Sequence, residues 1–451
     1  MTRGAQAQAF GHIVRVVIQL AGVPIFISVW GLHLYGEWLI LTAVPSYLAF
    51  SDIGFVSAAG NEMIMSIGRN DREHALSIFQ AVSLVVAAVV MGLLILLPAA
   101  ASVAPLTTWL KLTVIHESAA GWIVLALSLD AMLALFASLL YGGYACEGRY
   151  GEGAFAIAAI SLVEFAALAL AVILGGGPGL AAGAMFAGRA VGTLAMLVGL
   201  RRHAPWLRFG VPHRPRSVLR GLLSPALAAG AFPVGFALNL QGMVILVGTV
   251  AGPANAAIFS TLRTVSRAVT QVLASVSSVV SPEVSKAFGE GDLALVRMIH
   301  RRGCQVAVWL AGSAVLVLGI FGGPILLFWT SGKVGSEGAL LYLFLMTAAV
   351  DAFWYTSFAI LFATNRHQRV AVHYVLANVL SLPVAFALLK LWGLSGAASA
   401  LVLLELYMLF VVLRQALPAA GDSVLGLAAF IRVPPVYLLG RLARLRPGYR
   451  S

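Results

Sequence analysis

The sequence predicts an all-α polytopic membrane protein of about twelve transmembrane helices, in two pseudo-repeated six-helix lobes around a central cavity. Three observations predict it. The chain of 451 residues is 61% hydrophobic and only 10% charged, with a mean hydropathy of +0.96, a composition suited to lipid as solvent. Its apolar runs of roughly 20 residues, each long enough to cross a bilayer, number twelve. The second half of the chain also repeats features of the first at a fixed offset.

The first run, near 13–33, lacks a short apolar core ending in a small-residue cleavage site, so it reads as a permanent span. The others lie near 38–58, 77–101, 119–141, 153–175, 178–200, 222–249, 256–281, 303–328, 339–362, 370–391 and 393–414. The long seventh run either begins outside the membrane or bends at Pro225 or Pro233. The longest polar connections are 201–220, 285–302 and a tail containing IRVPPVYLLGRLARLRPGYR. This divides the chain into an N-lobe of helices 1–6 (1–200), a basic linker (201–221), a C-lobe of helices 7–12 (222–414) and a basic tail (415–451).

Basic residues orient the spans, because Lys and Arg concentrate on the cytoplasmic side. With the N-terminus inside, 23 of the 29 fall in cytoplasmic segments and only Lys111, Lys333 and Lys390 fall outside. Both termini are then cytoplasmic. The net charge of +12 is explained by a positive face beside anionic membrane lipid, and no nucleic-acid partner is expected. The two cysteines, Cys146 and Cys304, fall in cytoplasmic loops, so neither a disulfide nor a two-thiol metal site is expected.

Three arginines belong to neither side. Arg189 lies roughly 16 Å into the sixth span and Arg267 roughly 16 Å into the eighth, with Arg263 one turn nearer the outer end. An arginine at mid-bilayer costs at least about 2.5–3.5 kcal/mol, so it faces water or a counter-ion. Asp130, Glu164, Asp351 and Glu405, in the middle of the fourth, fifth, tenth and twelfth spans, are available counter-ions. Purely structural pairing and a ligand site are both open. Ser260, Thr264, Arg267, Gln271, Ser275 and Ser278 recur every three or four residues, giving the eighth helix a polar stripe suited to a wet surface. Gln19, Asn239, Gln241 and Asn378 are candidate cavity liners or helix-pairing groups.

Sliding the chain by 221 residues places Gly31 on Gly252, Trp38 on Phe259, Glu62 on Glu283, Gly68 on Gly289, Asp71 on Asp292 and Asp130 on Asp351. Toward the ends of the halves the offset drops to 214, aligning Gly179–Leu180 with Gly393–Leu394. An even number of spans per half makes the repeat parallel.

The opening GVPIFISVWGLHLYGEWLILTAVPSYLAFSDIGFVSAAGNE resembles the first two helices of the Wzx-type polysaccharide flippases of the multidrug/oligosaccharidyl-lipid/polysaccharide (MOP) superfamily. The shared features are a Pro-containing first helix, the outer pair Tyr35–Gly36, and Asp52–Ile53–Gly54 near the inner end of the second helix. AGPANAAIFS and SPEVSKAFGEGD resemble the family's turn before the eighth helix and the exit after it. The resemblance implies transport of an undecaprenyl-pyrophosphate-linked oligosaccharide to the outer leaflet of a bacterial inner membrane. It also implies the polysaccharide polymerase and chain-length proteins as partners. On this reading Arg189, Arg263 and Arg267, with Thr264 and Gln271, form the site for the anionic pyrophosphate, since guanidinium groups offer planar donors that stay charged.

No cofactor is expected. The four deep acids outnumber the three bases, so Asp130, Asp351, Glu164 and Glu405 are the candidates for proton or sodium coupling. The sequence holds no Gly-rich phosphate loop, metal-spaced His or Cys cluster, or nucleophile constellation, so it is not read as an enzyme. Two alternatives stand beside the flippase: a multidrug or cation exporter of the same superfamily using Asp130 or Asp351, and a membrane polysaccharide polymerase or ligase.

Overall fold

The computed structural model describes residues 2–50, 55–103, 105–212, 218–222, 232–335, 338–364 and 366–435. Asp52, Ile53, Gly54, Arg214, Arg216, Pro225 and the tail from 436 lie outside the described residues, as do the side chains of Ser275 and Ser278. Among the described residues every regular element is a helix. Contacts group Met1–Phe259 into one compact unit and Ser260–Ser451 into another.

The first unit holds α1 (Thr2–Phe50), α2 (Phe55–Gly68), α3 (Arg72–Val103), α4 (Leu106–Leu110), α5 (Glu117–Cys146), α6 (Tyr150–Ile173), α7 (Pro178–His203) and α8 (Phe232–Ala251). Within α8 a π-helical turn spans Leu238–Gly242 and carries Asn239 and Gln241. α9 (Pro253–Gly289) leads into the second unit, followed by α10 (Leu293–Trp329), α11 (Ala339–Ala363), α12 (Gln368–Ala419) and α13 (Val424–Ile431). Among the described residues, nine helices are long and apolar enough to cross a membrane, making this a multi-pass membrane protein. α1 and α12 are each two spans, broken at Gly31 and at Trp392–Gly393. With those divisions and the polar-striped α9, the segments number twelve.

The sequence repeat has a local structural counterpart. Gly31 (φ 73, ψ 176) and Gly252 (φ 98, ψ 159), 221 residues apart, both break the chain between the first two helices of a half. That backbone region is essentially closed to residues with a Cβ. Gly68 and Gly289 each end a helix, and Asp71 and Asp292 each start the next. The Asp71 carboxylate accepts from the His74 amide, and that of Asp292 accepts from the Leu295 amide, both at 2.9 Å. These are equivalent caps at equivalent positions.

One end of the first unit is tied together by two carboxylates. Glu37, fully buried, accepts from the amides of Thr113, Val114 and Ile115 and from the Thr113 hydroxyl. Glu117 accepts from the amides of Leu106 and Thr107 and from the Thr107 hydroxyl. Five backbone amides of the loop around α4 are thus satisfied by side-chain carboxylates. Beside it Phe26, Trp30, Tyr35 and Trp38 form an aromatic cluster. Gly36 is pressed against the next turn: a Cβ there would lie 1.8 Å from the Pro253 carbonyl oxygen. The Tyr35–Gly36 pair and the Gly252–Pro253 turn therefore fit each other.

One expectation about connections changes. The stretch 285–302, read as a polar loop, is helical except at 290–292, where Gly291 turns with φ 76. Hydropathy marks where a helix leaves lipid, not where its hydrogen bonds stop. α9 and α10, at 37 residues each, run to roughly 55 Å, well beyond the hydrocarbon core.

In the second unit α10 packs on α11, α11 on α12, and α13 folds back onto α10. Arg301 grips Asp422 through two hydrogen bonds, Nε to Oδ2 at 2.8 Å and Nη2 to Oδ1 at 2.6 Å. Gln305 donates to the carbonyls of Phe430 and Val433, and Trp309 to that of Ile431. Cys304, Leu417 and Leu427 close the contact.

Burial of Asp422 works to raise its pKa, but the Arg301 hydrogen bonds and the Ser423 amide outweigh it and hold the carboxyl below its ordinary value. A lowered carboxylate pKa stabilises the fold fully above the unfolded value, about 3.9 for Asp, and that contribution fades as pH falls through the folded one. The protection factors of amides in 424–431, corrected for the intrinsic pH dependence of exchange, are therefore expected to hold steady down to about pH 5 and to fall below the ordinary Asp value. Asp422→Asn should lower them at neutral pH, for a loss on the order of 1.5–3 kcal/mol. Unchanged exchange in this variant would remove the pair from the account.

Candidate functional site

The deep charges fall into two sets, one in each unit. In the first, α5, α6 and α7 pack on one another and bring their ionisable groups together. Arg189 of α7 donates from Nε to Asp130 of α5 at 2.8 Å and from Nη2 to Glu164 of α6. The side chains are 16%, 6% and 8% exposed respectively, so the triad is largely out of solvent. Close packing makes this reach possible: a Cβ at Gly188 would lie 3.0 Å from the Glu164 Cα. Two acids around one base leave a formal excess of one negative charge when all are ionised.

The second set lies on α9, α11 and α12. Arg263, buried at 8% exposure, is within electrostatic reach of Arg267, Glu405 and Tyr374. Asp351 and Glu405 interact with each other. Glu405 accepts a 2.7 Å hydrogen bond from the Trp354 indole, one turn along α11 from Asp351. Trp354 and Tyr374 lie with ring centroids 6.4 Å apart. Two bases and two acids balance formally here, but like charges stand beside like. Such a set can hold an anion against the arginines, or a cation or proton between the carboxylates.

The polar stripe of α9 is only partly wet. Thr264 donates to the Ser260 carbonyl at 2.8 Å, Ser266 to that of Arg263 at 2.9 Å and Thr270 to that of Arg267 at 3.0 Å, so these hydroxyls satisfy themselves on their own helix. Gln271 is exposed, whereas Thr261, Arg263 and Ser266 are buried. Of the proposed liners, Asn378 is fully buried and donates to the Tyr374 carbonyl four residues back.

The repeat clarifies how the sets differ. Asp130 and Asp351 are equivalent, yet the last helix of the first half brings Arg189 to Asp130, and the last helix of the second brings Glu405 to Asp351. The positions equivalent to Arg263 and Arg267 are Thr42 and Ser46, whose hydroxyls bond to carbonyls of their own helix. Basic charge has moved from the sixth-helix position to the second. Trp354 and Tyr374 were not picked out from sequence. Spacing offered a signal for one of them, since Trp354 follows Asp351 by three residues and shares its helix face.

Arg189→Ala should destabilise the folded protein by about 3–5 kcal/mol, because it strands two buried carboxylates. Adding Asp130→Asn to that variant should recover part of the loss. Thermal unfolding of detergent-solubilised wild type, both single variants and the double variant measures the coupling; additive effects would contradict the triad.

No family model and no curated protein sequence matches the chain. Solved structures do. An inward-facing multidrug resistance MATE family transporter of the MOP superfamily aligns with a TM-score of 0.74 at 16% identity, covering 91% of this chain and 98% of that one. The lipid II flippase MurJ in an inward closed conformation aligns at 0.72 and 12% identity, covering 100% of this chain and 94% of that one. A MOP superfamily transporter from Pyrococcus furiosus, described as having a binding pocket of reverse polarity, aligns at 0.58 and 14% identity, covering 96% and 94%. The chain has the fold of MOP superfamily transporters.

Proposed function

We propose that this protein is a transporter that flips an undecaprenyl-pyrophosphate-linked oligosaccharide from the cytoplasmic to the outer leaflet of a bacterial inner membrane, with both termini cytoplasmic. The observation that carries the reading is the pair Arg263 and Arg267, two guanidinium groups one turn apart and largely out of solvent, in a chain with a MOP fold. A pyrophosphate cannot enter a low-dielectric interior bare. Arginine meets it with charge-assisted donors of matching geometry. The anion is assigned to Arg263 and Arg267 because they stand one turn apart on one helix beside Gln271; Arg189 bridges Asp130 and Glu164. That a structural neighbour is a lipid II flippase agrees with a lipid-linked substrate.

The second reading, a multidrug or cation exporter, is favoured by the adjacent carboxylates of Asp351 and Glu405 and by the MATE neighbour. On the flippase reading the same acids serve proton or sodium coupling.

Substitution separates the two. Arg267→Ala should weaken binding of a pyrophosphate-linked lipid about ten- to a hundredfold, equivalent to roughly 1.5–3 kcal/mol, and Arg267→Lys should restore only part of it. Surface polysaccharide export should fall in step. Wild-type binding and export in both variants would defeat the anion site. Loss of lipophilic-cation export in Asp351→Asn, with polysaccharide export intact, would instead establish the exporter. A reporter fused after Pro205 is expected to report cytoplasm, and a periplasmic signal would overturn the orientation.

A further inference from the structure

α12 is a pair of spans folded back on itself. His373 Nδ1 and the Tyr407 hydroxyl share a 2.6 Å hydrogen bond although they lie 34 residues apart, a separation that an unbroken helix would stretch to about 51 Å. The two halves therefore run antiparallel from the break at Trp392–Gly393, and His373 and Tyr407 stand at one level. Each half carries a matching row of side chains through that level. On the first, Arg369, His373, Leu376 and Leu380 recur every three or four residues along one face; on the second, Arg414, Phe410, Tyr407 and Leu403 do the same.

This face is turned away from the deep charges. Glu405 accepts from Trp354 of α11, and Tyr407, two residues on, points to the opposite side of its helix. Leu376, Leu380, Leu403 and Phe410 are each more than half exposed, so the face is apolar and uncovered. Its two arginines are exposed at the same end, about 6 Å beyond His373 and about 10 Å beyond Tyr407. Neither has an acidic partner among the described residues, since Asp422 is held by Arg301, and the Arg414 guanidinium rests over the Phe410 ring. Positive charge without a counter-ion, a polar pair about a turn deeper and leucines deeper still follow the headgroup, glycerol and acyl levels of an anionic phospholipid. A second copy of the chain fits less well, because in a parallel two-fold pair these arginines would meet their own equivalents.

We propose that the seam between the two halves of α12 binds one anionic phospholipid, its phosphate held by Arg369 and Arg414, its glycerol region against His373 and Tyr407, and an acyl chain along Leu376 and Leu380. Arginine suits the phosphate through charge-assisted donors in a planar fork. The site is independent of which substrate the protein carries.

The test uses the full chain in neutral detergent, with dioleoyl phosphatidylglycerol or dioleoyl phosphatidylcholine as the probe, and counts bound lipid by native mass spectrometry. One phosphatidylglycerol is expected to be held about tenfold or more tightly than phosphatidylcholine, and Arg369→Gln combined with Arg414→Gln should erase that preference. Arg208→Gln, at another exposed arginine, should keep it. The substituted side chains being exposed, all variants are expected to unfold at the wild-type temperature. A phosphatidylglycerol with a photoreactive acyl chain should crosslink within 372–384 and 399–410. Preference retained in the double variant, preference equally lost in Arg208→Gln, or crosslinks confined to other segments would overturn the site. Wild-type dimers that carry no lipid and dissociate in Leu380→Asp would assign the face to a second copy and overturn it equally.

Discussion

A charge carried to the middle of a bilayer must bring its partner with it. Arg189 satisfies that constraint through Asp130 and Glu164, and the packing of α5, α6 and α7 follows from it, since three ionised groups on three helices have to converge. Small residues permit the approach, as at Gly188 against the Glu164 backbone. The same constraint governs the second unit, where Arg263, Arg267, Asp351 and Glu405 gather with Trp354 and Tyr374.

The two halves share a backbone plan and differ in where they place charge. Breaks at Gly31 and Gly252 and caps at Asp71 and Asp292 recur at the same offset, because they are local devices that any copy of the repeat needs. The buried ionisable groups have diverged. In the first half a base on the last helix neutralises the conserved-offset acid, whereas in the second an acid stands there and the bases come from α9. A closed triad rigidifies its helices; a set in which like charges are neighbours is the better candidate for binding an ion or an anionic headgroup.

The membrane-facing ends obey the same accounting of polar groups. Glu37 and Glu117 satisfy backbone amides of the loop around α4, and Gln305 and Trp309 satisfy the end of α13. In each case a side chain from a spanning helix supplies what water would otherwise supply.

The sequence by itself determined the helical class, the twelve segments, the repeat and the identity of every deep charge, because each depends on composition along a short stretch or on an offset within the chain. It also aligned Gly31 with Gly252, but placed Gly31 inside the first span; that both break the chain is seen only in their backbone angles. Only the tertiary structure decided which acid meets which base. Arg189 and Asp130 are 59 residues apart, and mid-span depth alone leaves four acids equally open to each arginine. It decided that 285–302 is nearly all helix, that Glu37 is a buried cap, and that Trp354 and Tyr374 join the second charged set. These depend on rotation of helices about their axes and on contacts between distant segments, which hydropathy does not record.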